Sequence, residues 1–323
     1  RLILDNSRWI DIAKGLGIIS VVAGHTFGGD IKNLIFLYHM PLFFFIGGYL
    51  FKIKPNFTLY LKSKIFHLLI PYSVYLVILY FPYEYQNIDV WNFKETLTYL
   101  VRPIIGGKLL IGLVGVFWSV TCYFITQQVF NLLINKCSNM VLYITMSTFV
   151  LLSYGNSMLF PQFWLPWNIN VVFAALPLFF IGYIFKKNQI SFPLYVYLII
   201  VLIAIFVSIY LGNNTYDMKY GEYGIPFFTL ISSISAIMLI KKVSIFISKH
   251  KQASFILGEI GNASMTIMYL HLPIRILILT NFNFNPITTF ILSTAIPIII
   301  HWLFLKFRIT KLLFLGLKKD IKV

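Results

Sequence analysis

The feature that most constrains this chain is a series of ten apolar runs, each about 17 to 25 residues long, separated by short charged segments. A run of this length can cross the hydrocarbon core of a bilayer as an α-helix. In lipid every backbone N–H and C=O must be hydrogen-bonded within the protein, and a helix achieves this locally. The sequence therefore predicts an all-α integral membrane protein, a polytopic bundle of about ten transmembrane helices. The runs lie near residues 9–29, 33–51, 67–83, 115–135, 140–160, 169–185, 191–212, 224–240, 262–281 and 286–305.

Composition and segment lengths favour a single transmembrane domain over residues 1–323. The chain is 59% hydrophobic and only 11% charged, which leaves no segment for a separate soluble domain. Two shorter stretches, 55–66 and 91–110, mix charged residues with aromatic and leucine side chains, as helices lying in the membrane interface do. We find no internal repeat of the kind common in secondary transporters, and this weakly disfavours a transporter.

The positive charge of the chain, a formal +16, is interpreted as a topology signal. Lysine and arginine clusters alternate with poorly basic segments between successive runs, and basic ends of spans face the cytoplasm. The alternation predicts that both termini are cytoplasmic. The charges form no aromatic-lined stripe, so no nucleic-acid partner is expected. Cys122 and Cys137 lack metal-ligand spacing, and no metal is expected either.

The first run carries three ionisable residues, Asp11, Lys14 and His25, which are costly in a membrane unless they face the bundle interior. The eleven residues from Lys14 to His25 complete about three helical turns, so both side chains share one face about 16 Å apart. Asp11 can pair with Lys14 from one turn away. A cation at the mouth suits a phosphorylated donor and a buried imidazole suits proton transfer. Equally, Lys14 could snorkel to the interface and His25 could satisfy a neighbouring polar group.

Further ionisable residues extend this candidate site. His39 begins the second run close to the outer end of the first, where it can neighbour His25 or act only as an interfacial anchor, and Pro41 can break the helix there. His271 and Arg275 are one turn apart in the ninth run and can present one interior surface. Arg275 could grip a phosphate or neutralise Glu259.

Several motifs occur in order along nearly the whole chain. The first is Lys14 and His25 at their ten-residue spacing, followed by His39-Met-Pro-Leu-Phe-Phe-Phe-Ile-Gly-Gly-Tyr. The remaining motifs are Lys64–Tyr72, Val116–Ser119 and Leu257–His271. Together they resemble the membrane-bound acyltransferase family 3, and its fucose 4-O-acetylase-like branch in particular.

The resemblance implies a membrane O-acetyltransferase that uses acetyl-CoA and no metal. Activity in the family depends on the basic residue and the histidine of the first span, which correspond to Lys14 and His25. The catalytic group expected here is His25, Lys14, Asp11 and His39, with His25 as general base or acyl carrier. Positive potential that attracts coenzyme A is expected from Lys62 and Lys64, beside Lys14, Arg275 and His271 as donor-binding residues.

The acceptor expected from the resemblance is a sugar hydroxyl of a lipid-linked or cell-surface glycan, and the location is the cytoplasmic membrane of a bacterium. Aromatic outer segments could stack on sugar rings, with Asp217, Glu222 and Glu84 holding hydroxyls, although aromatic belts at interfaces are commoner. Two other functions stay open. One is a transporter of a lipid-linked sugar or polysaccharide, with the ionisable residues lining its pathway. The other is a sensor or assembly partner in which they only fix helix packing. The number of subunits is not predicted.

Overall fold

The computed structural model describes residues 7–86, 88–89, 91–212 and 214–317. Within these ranges the chain forms fifteen α-helices and no β-strand. The first six and the last residues of the chain, on which the predicted cytoplasmic position of the termini depends, lie outside the described residues. The helices are α1 (Arg8–Phe27), α2 (Gly29–Phe36), α3 (His39–Leu50), α4 (Phe57–Lys64), α5 (Ile70–Tyr85), α6 (Phe93–Ile105), α7 (Trp118–Lys136), α8 (Asn139–Leu159), α9 (Val172–Lys187), α10 (Leu194–Tyr210), α11 (Phe228–Ile247), α12 (Lys251–Asn262), α13 (Ser264–Asn281), α14 (Pro286–Phe304) and α15 (Arg308–Leu315).

The helical and apolar character predicted from the sequence is confirmed, whereas the number of spans stays a prediction. A helix occupies each of the ten predicted runs. In the described ranges, seven segments are long and apolar enough to cross a membrane, and an eighth counts if the bent pair α12 and α13 forms one span. The shorter apolar helix α10 and the helix α8, which occupy two further predicted runs, lie outside that set.

The second predicted run is divided into two helices. It consists of α2 and α3, separated at Leu37 and Tyr38, so the break precedes Pro41. Pro41 is the third residue of α3, and a proline is tolerated in the first turn because its missing N–H has no partner there in any helix. The N–H that Pro41 lacks would bond the Leu37 carbonyl in a continuous helix, so the break at residues 37–38 agrees with the prediction that Pro41 can break the helix, and it places His39 at the start of a new helix.

Two glycine-mediated crossings hold the bundle together where helices approach most closely. In the α3–α9 crossing, a Cβ atom at Gly48 would overlap the carbonyl oxygen of Phe179, and one at Gly182 would overlap that of Phe45. Small residues allow this approach between helices, where van der Waals contact drives association in lipid. An aromatic cluster that includes Phe130 and Phe179 packs beside the crossing.

The crossing of α1 with α12 fixes the helix that carries the predicted site. A Cβ atom at Gly15 would overlap the carbonyl oxygen of Leu257, and one at Gly261 would overlap that of Asp11. The chain then bends by 71° between α12 and α13, which turns α13 along α1. We call the side of the bundle on which α1 begins the first face, and the side on which it ends the second face.

Three loops interlock on the second face through one side chain, Asn168. Its carboxamide oxygen accepts the backbone N–H of Lys108 at 2.7 Å, and its nitrogen donates to the carbonyl oxygen of Lys219 at 3.0 Å. Lys219 also donates its ammonium to the carbonyl oxygen of Leu110 at 2.7 Å. Asn168 is buried and has a positive φ of 56°, a conformation that asparagine tolerates better than most residues. We call these loops, residues 106–115, 160–171, 211–212 and 214–227, the second-face cap.

Candidate active site

A cavity of about 490 Å³ runs through the bundle beside α1 and reaches from Lys14 to the second-face cap. We call it the chamber. Lys14 lines one end, and Lys32, Asp217 and Lys219 line the other. His25 also lines it, about 16 Å along α1 from Lys14 at a rise of about 1.5 Å per residue. Lys14 and His25, which were predicted to share one face of the helix, therefore line the same chamber.

The pairing of Asp11 with Lys14 is present as predicted. The Lys14 ammonium lies 2.7 Å from an Asp11 carboxylate oxygen, and about a quarter to a third of each side chain is exposed, 27% and 30%. Exposed ion pairs of this kind contribute less than about 1 kcal/mol to stability. The pair therefore matters mainly for where it holds the ammonium, on a turn of α1 that the Gly15 and Gly261 crossing fixes.

The contacts of His25 are with rings from two other helices. Its ring centroid lies 5.9 Å from that of Phe36 in α2 and 5.3 Å from that of His271 in α13. None of the described residues hydrogen-bonds to a His25 nitrogen, so both nitrogens stay available to a molecule in the chamber. An imidazole in this setting can accept a proton from a hydroxyl or attack an acyl carbon.

His39 and His271 surround His25, and each is anchored by one nitrogen. The Nδ1 atom of His39 lies 3.0 Å from the carbonyl oxygen of Ile35, and that of His271 lies 2.8 Å from the carbonyl oxygen of Ile267. A carbonyl accepts only from N–H, so both rings carry the proton on Nδ1 and leave Nε2 as an acceptor. His39 lines the chamber, whereas His271 is fully buried behind His25.

The predicted donor-binding residues are not all brought together. Lys14 lines the chamber, while the other four, Lys62, Lys64, His271 and Arg275, lie outside its lining. The Lys64 ammonium packs over the Tyr60 ring at 5.4 Å. Donor binding by these residues stays a prediction.

Arg275 lies close enough to His25 and His271 to interact electrostatically with both. Its Nε atom is buried and has no hydrogen-bonding partner in the described part of the chain. The alternative in which Arg275 neutralises Glu259 is not observed, because the two side chains, both among the described residues, form no ion pair. Glu259 instead accepts from the Asn262 side chain at 3.2 Å.

The second-face end of the chamber holds charged groups that the sequence patterns could not bring to His25. Asp217 lines the chamber. Lys32 is close enough to interact electrostatically with both the Asp217 carboxylate and the His25 ring. Burial, with Glu222 nearby, raises the pKa of Asp217 to about 6, and burial lowers the pKa of Lys219 to about 8. Both groups are therefore mainly charged at neutral pH.

The other two acidic residues named from the sequence are placed differently. Glu84 pairs with Arg102 at 3.5 Å, and Glu222 is exposed and outside the chamber lining. The apolar residues around Asp217 could have indicated from the sequence that its loop is folded. Tyr216, Met218 and Tyr223 are buried and hold the loop against the bundle. A hydrophobic loop between two spans indicates a folded cap rather than a solvated connection.

The fold and the chamber together define a class: a multi-pass, all-helical membrane protein with a largely apolar chamber that contains an unengaged imidazole. The family model of acyltransferase family 3, described as an acyltransferase domain, matches residues 7–306. That match spans most of the chain, so the protein belongs to this family and is a membrane acyltransferase, as the sequence resemblance predicted. No curated protein and no solved structure matches the chain.

Proposed function

We propose that the protein transfers an acetyl group from cytoplasmic acetyl-CoA to a sugar hydroxyl of a lipid-linked or cell-surface glycan. One observation carries the proposal: Lys14 and His25 line a single chamber that ends at the second-face cap. In this proposal the first face is cytoplasmic, as the positive charges near it favour. Lys14 binds a phosphate of the donor, and the pantetheine arm extends through the chamber to His25.

The proposed reaction needs one base and one positioned thioester. His25 accepts the proton of the sugar hydroxyl through a ring nitrogen while the hydroxyl oxygen attacks the thioester carbon. The carbon–sulfur bond then breaks, and the coenzyme A sulfur takes the proton back from the His25 imidazolium. In the two-step alternative, one nitrogen of neutral His25 attacks the thioester carbon, the carbon–sulfur bond breaks, and the other nitrogen gives its proton to the leaving sulfur. The sugar oxygen later displaces the imidazole, which takes the hydroxyl proton. Both routes yield one acetyl ester and one free thiol.

The neighbouring histidine and the acid have supporting roles in this scheme. His39 lines the chamber with Nε2 as an acceptor and can hold the incoming hydroxyl beside His25. Asp11 orients the Lys14 ammonium without entering the reaction. The membrane of action is the cytoplasmic membrane of a bacterium, and the acceptor approaches from the second face.

The proposal is tested by the alkali-labile acetyl content of washed cell envelopes. Cells lacking the gene are complemented with the wild type, His25→Ala or Lys14→Ala at matched membrane levels. We expect His25→Ala to abolish the acetyl esters, because removal of a general base or nucleophile costs about 10²- to 10⁴-fold or more. Lys14→Ala is expected to raise the acetyl-CoA concentration needed for half-maximal rate in the purified protein.

A matched control uses Lys187→Ala, which also removes a first-face lysine but lies outside the chamber lining. It should leave the acetyl content at the wild-type level. Unchanged acetyl content with His25→Ala would contradict the proposal and favour a transporter of the same glycan, which would then accumulate on one side of the membrane.

A further inference from the structure

The second-face end of the chamber has the chemistry of a carbohydrate-binding site. We propose that Asp217, Lys32 and Lys219 bind the acceptor sugar beside His25, with Asp217 accepting hydrogen bonds from hydroxyls other than the one that is acetylated. This inference rests on the proposed function and specifies its acceptor site. It assigns a binding role to charged groups that no catalytic step requires.

The position of these residues is the first argument. Asp217, Lys32 and Lys219 line the same chamber as His25, at the end opposite Lys14. Lys32 is within electrostatic range of both His25 and Asp217, so it lies near both the proposed base and the carboxylate. A sugar unit in contact with Asp217 and Lys32 therefore lies beside the His25 ring.

The donor and acceptor groups are the second argument. A carboxylate has about four acceptor positions and each ammonium has three donors, which match the paired donor and acceptor character of vicinal hydroxyls. Lys219 uses one donor on the Leu110 carbonyl, at 2.7 Å, and has two left. Asp217 and Lys219 are partly buried, which strengthens such charge-assisted hydrogen bonds because fewer water molecules compete for them.

Aromatic rings beside both lysines are the third argument. The Lys32 ammonium lies 5.0 Å from the centroid of the Phe36 ring, and the Lys219 ammonium lies 5.3 Å from that of Tyr220. The Tyr220 side chain lines the chamber and is 53% exposed, so one edge or face stays open to a ligand. Aliphatic C–H faces of sugar rings pack on such surfaces while their hydroxyls reach the charged groups.

Rigidity of the loop is the fourth argument. Asp217 forms an antiparallel bridge with Glu222, and the turn between them closes through Gly221 at a positive φ of 73°. Asn168 ties the same loop to its neighbour through the Lys219 carbonyl. A carboxylate held in this way loses little freedom when it binds a ligand.

The test varies the acceptor concentration with purified protein in nanodiscs and acetyl-CoA at saturation. The acceptor probe is envelope polysaccharide from cells lacking the gene, freed of acetyl esters by mild alkali. We expect Asp217→Asn to raise the polysaccharide concentration at half-maximal rate by roughly 10- to 100-fold, as expected for the loss of a charged hydrogen-bonding partner. The acetyl-CoA concentration at half-maximal rate should stay within about twofold of the wild type.

The matched control is Asp30→Asn, the same chemical change at an exposed position on the second face, outside the chamber lining. It should match the wild type for both substrates. If Asp217→Asn behaves like Asp30→Asn, or if it weakens both substrates in proportion, the acceptor site is refuted while the proposed function stands. If wild-type protein forms no more acetyl ester than His25→Ala, the proposed function fails, and this inference fails with it.

Discussion

The close crossing of α1 and α12 predicts that one methyl group added at Gly261, far from the acceptor, lowers both stability and activity. A Cβ atom at Gly261 would overlap the carbonyl oxygen of Asp11, one turn from Lys14. Non-bonded carbon and oxygen need about 3.5 Å, so Gly261→Ala forces the two helices apart by more than about 1 Å. Such overpacking costs about 1–3 kcal/mol of stability. A displacement of about 1 Å in a positioned group lowers activity by about 100-fold.

We therefore expect Gly261→Ala to insert normally but to melt several degrees below the wild type, at roughly 2–4 °C per kcal/mol. Acetyl transfer at subsaturating acetyl-CoA should fall by about 100-fold. Both quantities are measured on the same detergent-purified sample, by size-exclusion chromatography after stepwise heating and by ester formation.

The control is Gly155→Ala in α8, where an added methyl group meets no atom within 4 Å. That variant should match the wild type in both measurements, since only the helix propensity of the site changes. Wild-type melting and activity in Gly261→Ala would refute the packing argument. An equal loss in Gly155→Ala would show that α-helical glycines matter here for a reason other than close approach.

Three further predictions follow from the second-face cap and the cysteines. Transfer at subsaturating polysaccharide should fall as the pH drops through about 6, where the raised pKa of Asp217 makes its carboxylate neutral; Asp217→Asn should remove that step from the pH profile. Asn168→Ala leaves two partly buried backbone groups without their partners at a cost of about 1–3 kcal/mol, so hydrogen exchange over residues 214–223 should accelerate. Unchanged exchange would contradict the interlocked loops. Membrane-impermeant maleimide should react with Cys137 in inside-out vesicles but not in intact cells, and with the fully buried Cys122 only after denaturation. Labelling of Cys137 in intact cells would reverse the proposed orientation.

Much of the fold could be predicted because few backbone structures are stable in lipid. Apolar runs of spanning length must be helical, and a helix occupies every predicted run. The helix α12 was harder to predict, because its residues from Lys251 to Asn262 are polar enough to be interpreted as a loop. Tertiary contact explains this helix, because its glycine face packs on α1 and a lone amphipathic segment of that length is marginal.

The part of the site that lies on one helix could also be predicted, and the part assembled from several could not. Helical periodicity alone places Lys14 and His25 on one face, and pairs Asp11 with Lys14. The contact of His25 with His271 joins residues almost 250 positions apart, so no local pattern contains it. Asp217 reaches the chamber only because its loop folds back under Asn168, a tertiary arrangement without a helical or strand period.

The walls of the chamber have a consequence for the membrane itself. Between Lys14 and His25 the lining is largely apolar, with Ile18, Val21 and Met268 among its residues. Narrow apolar passages exclude water, and an ion that enters one must shed its hydration shell. We therefore expect the apolar stretch between Lys14 and His25 to hinder the passage of ions, although the chamber reaches towards both faces. Cells that carry many copies of this protein are then expected to keep their ion gradients.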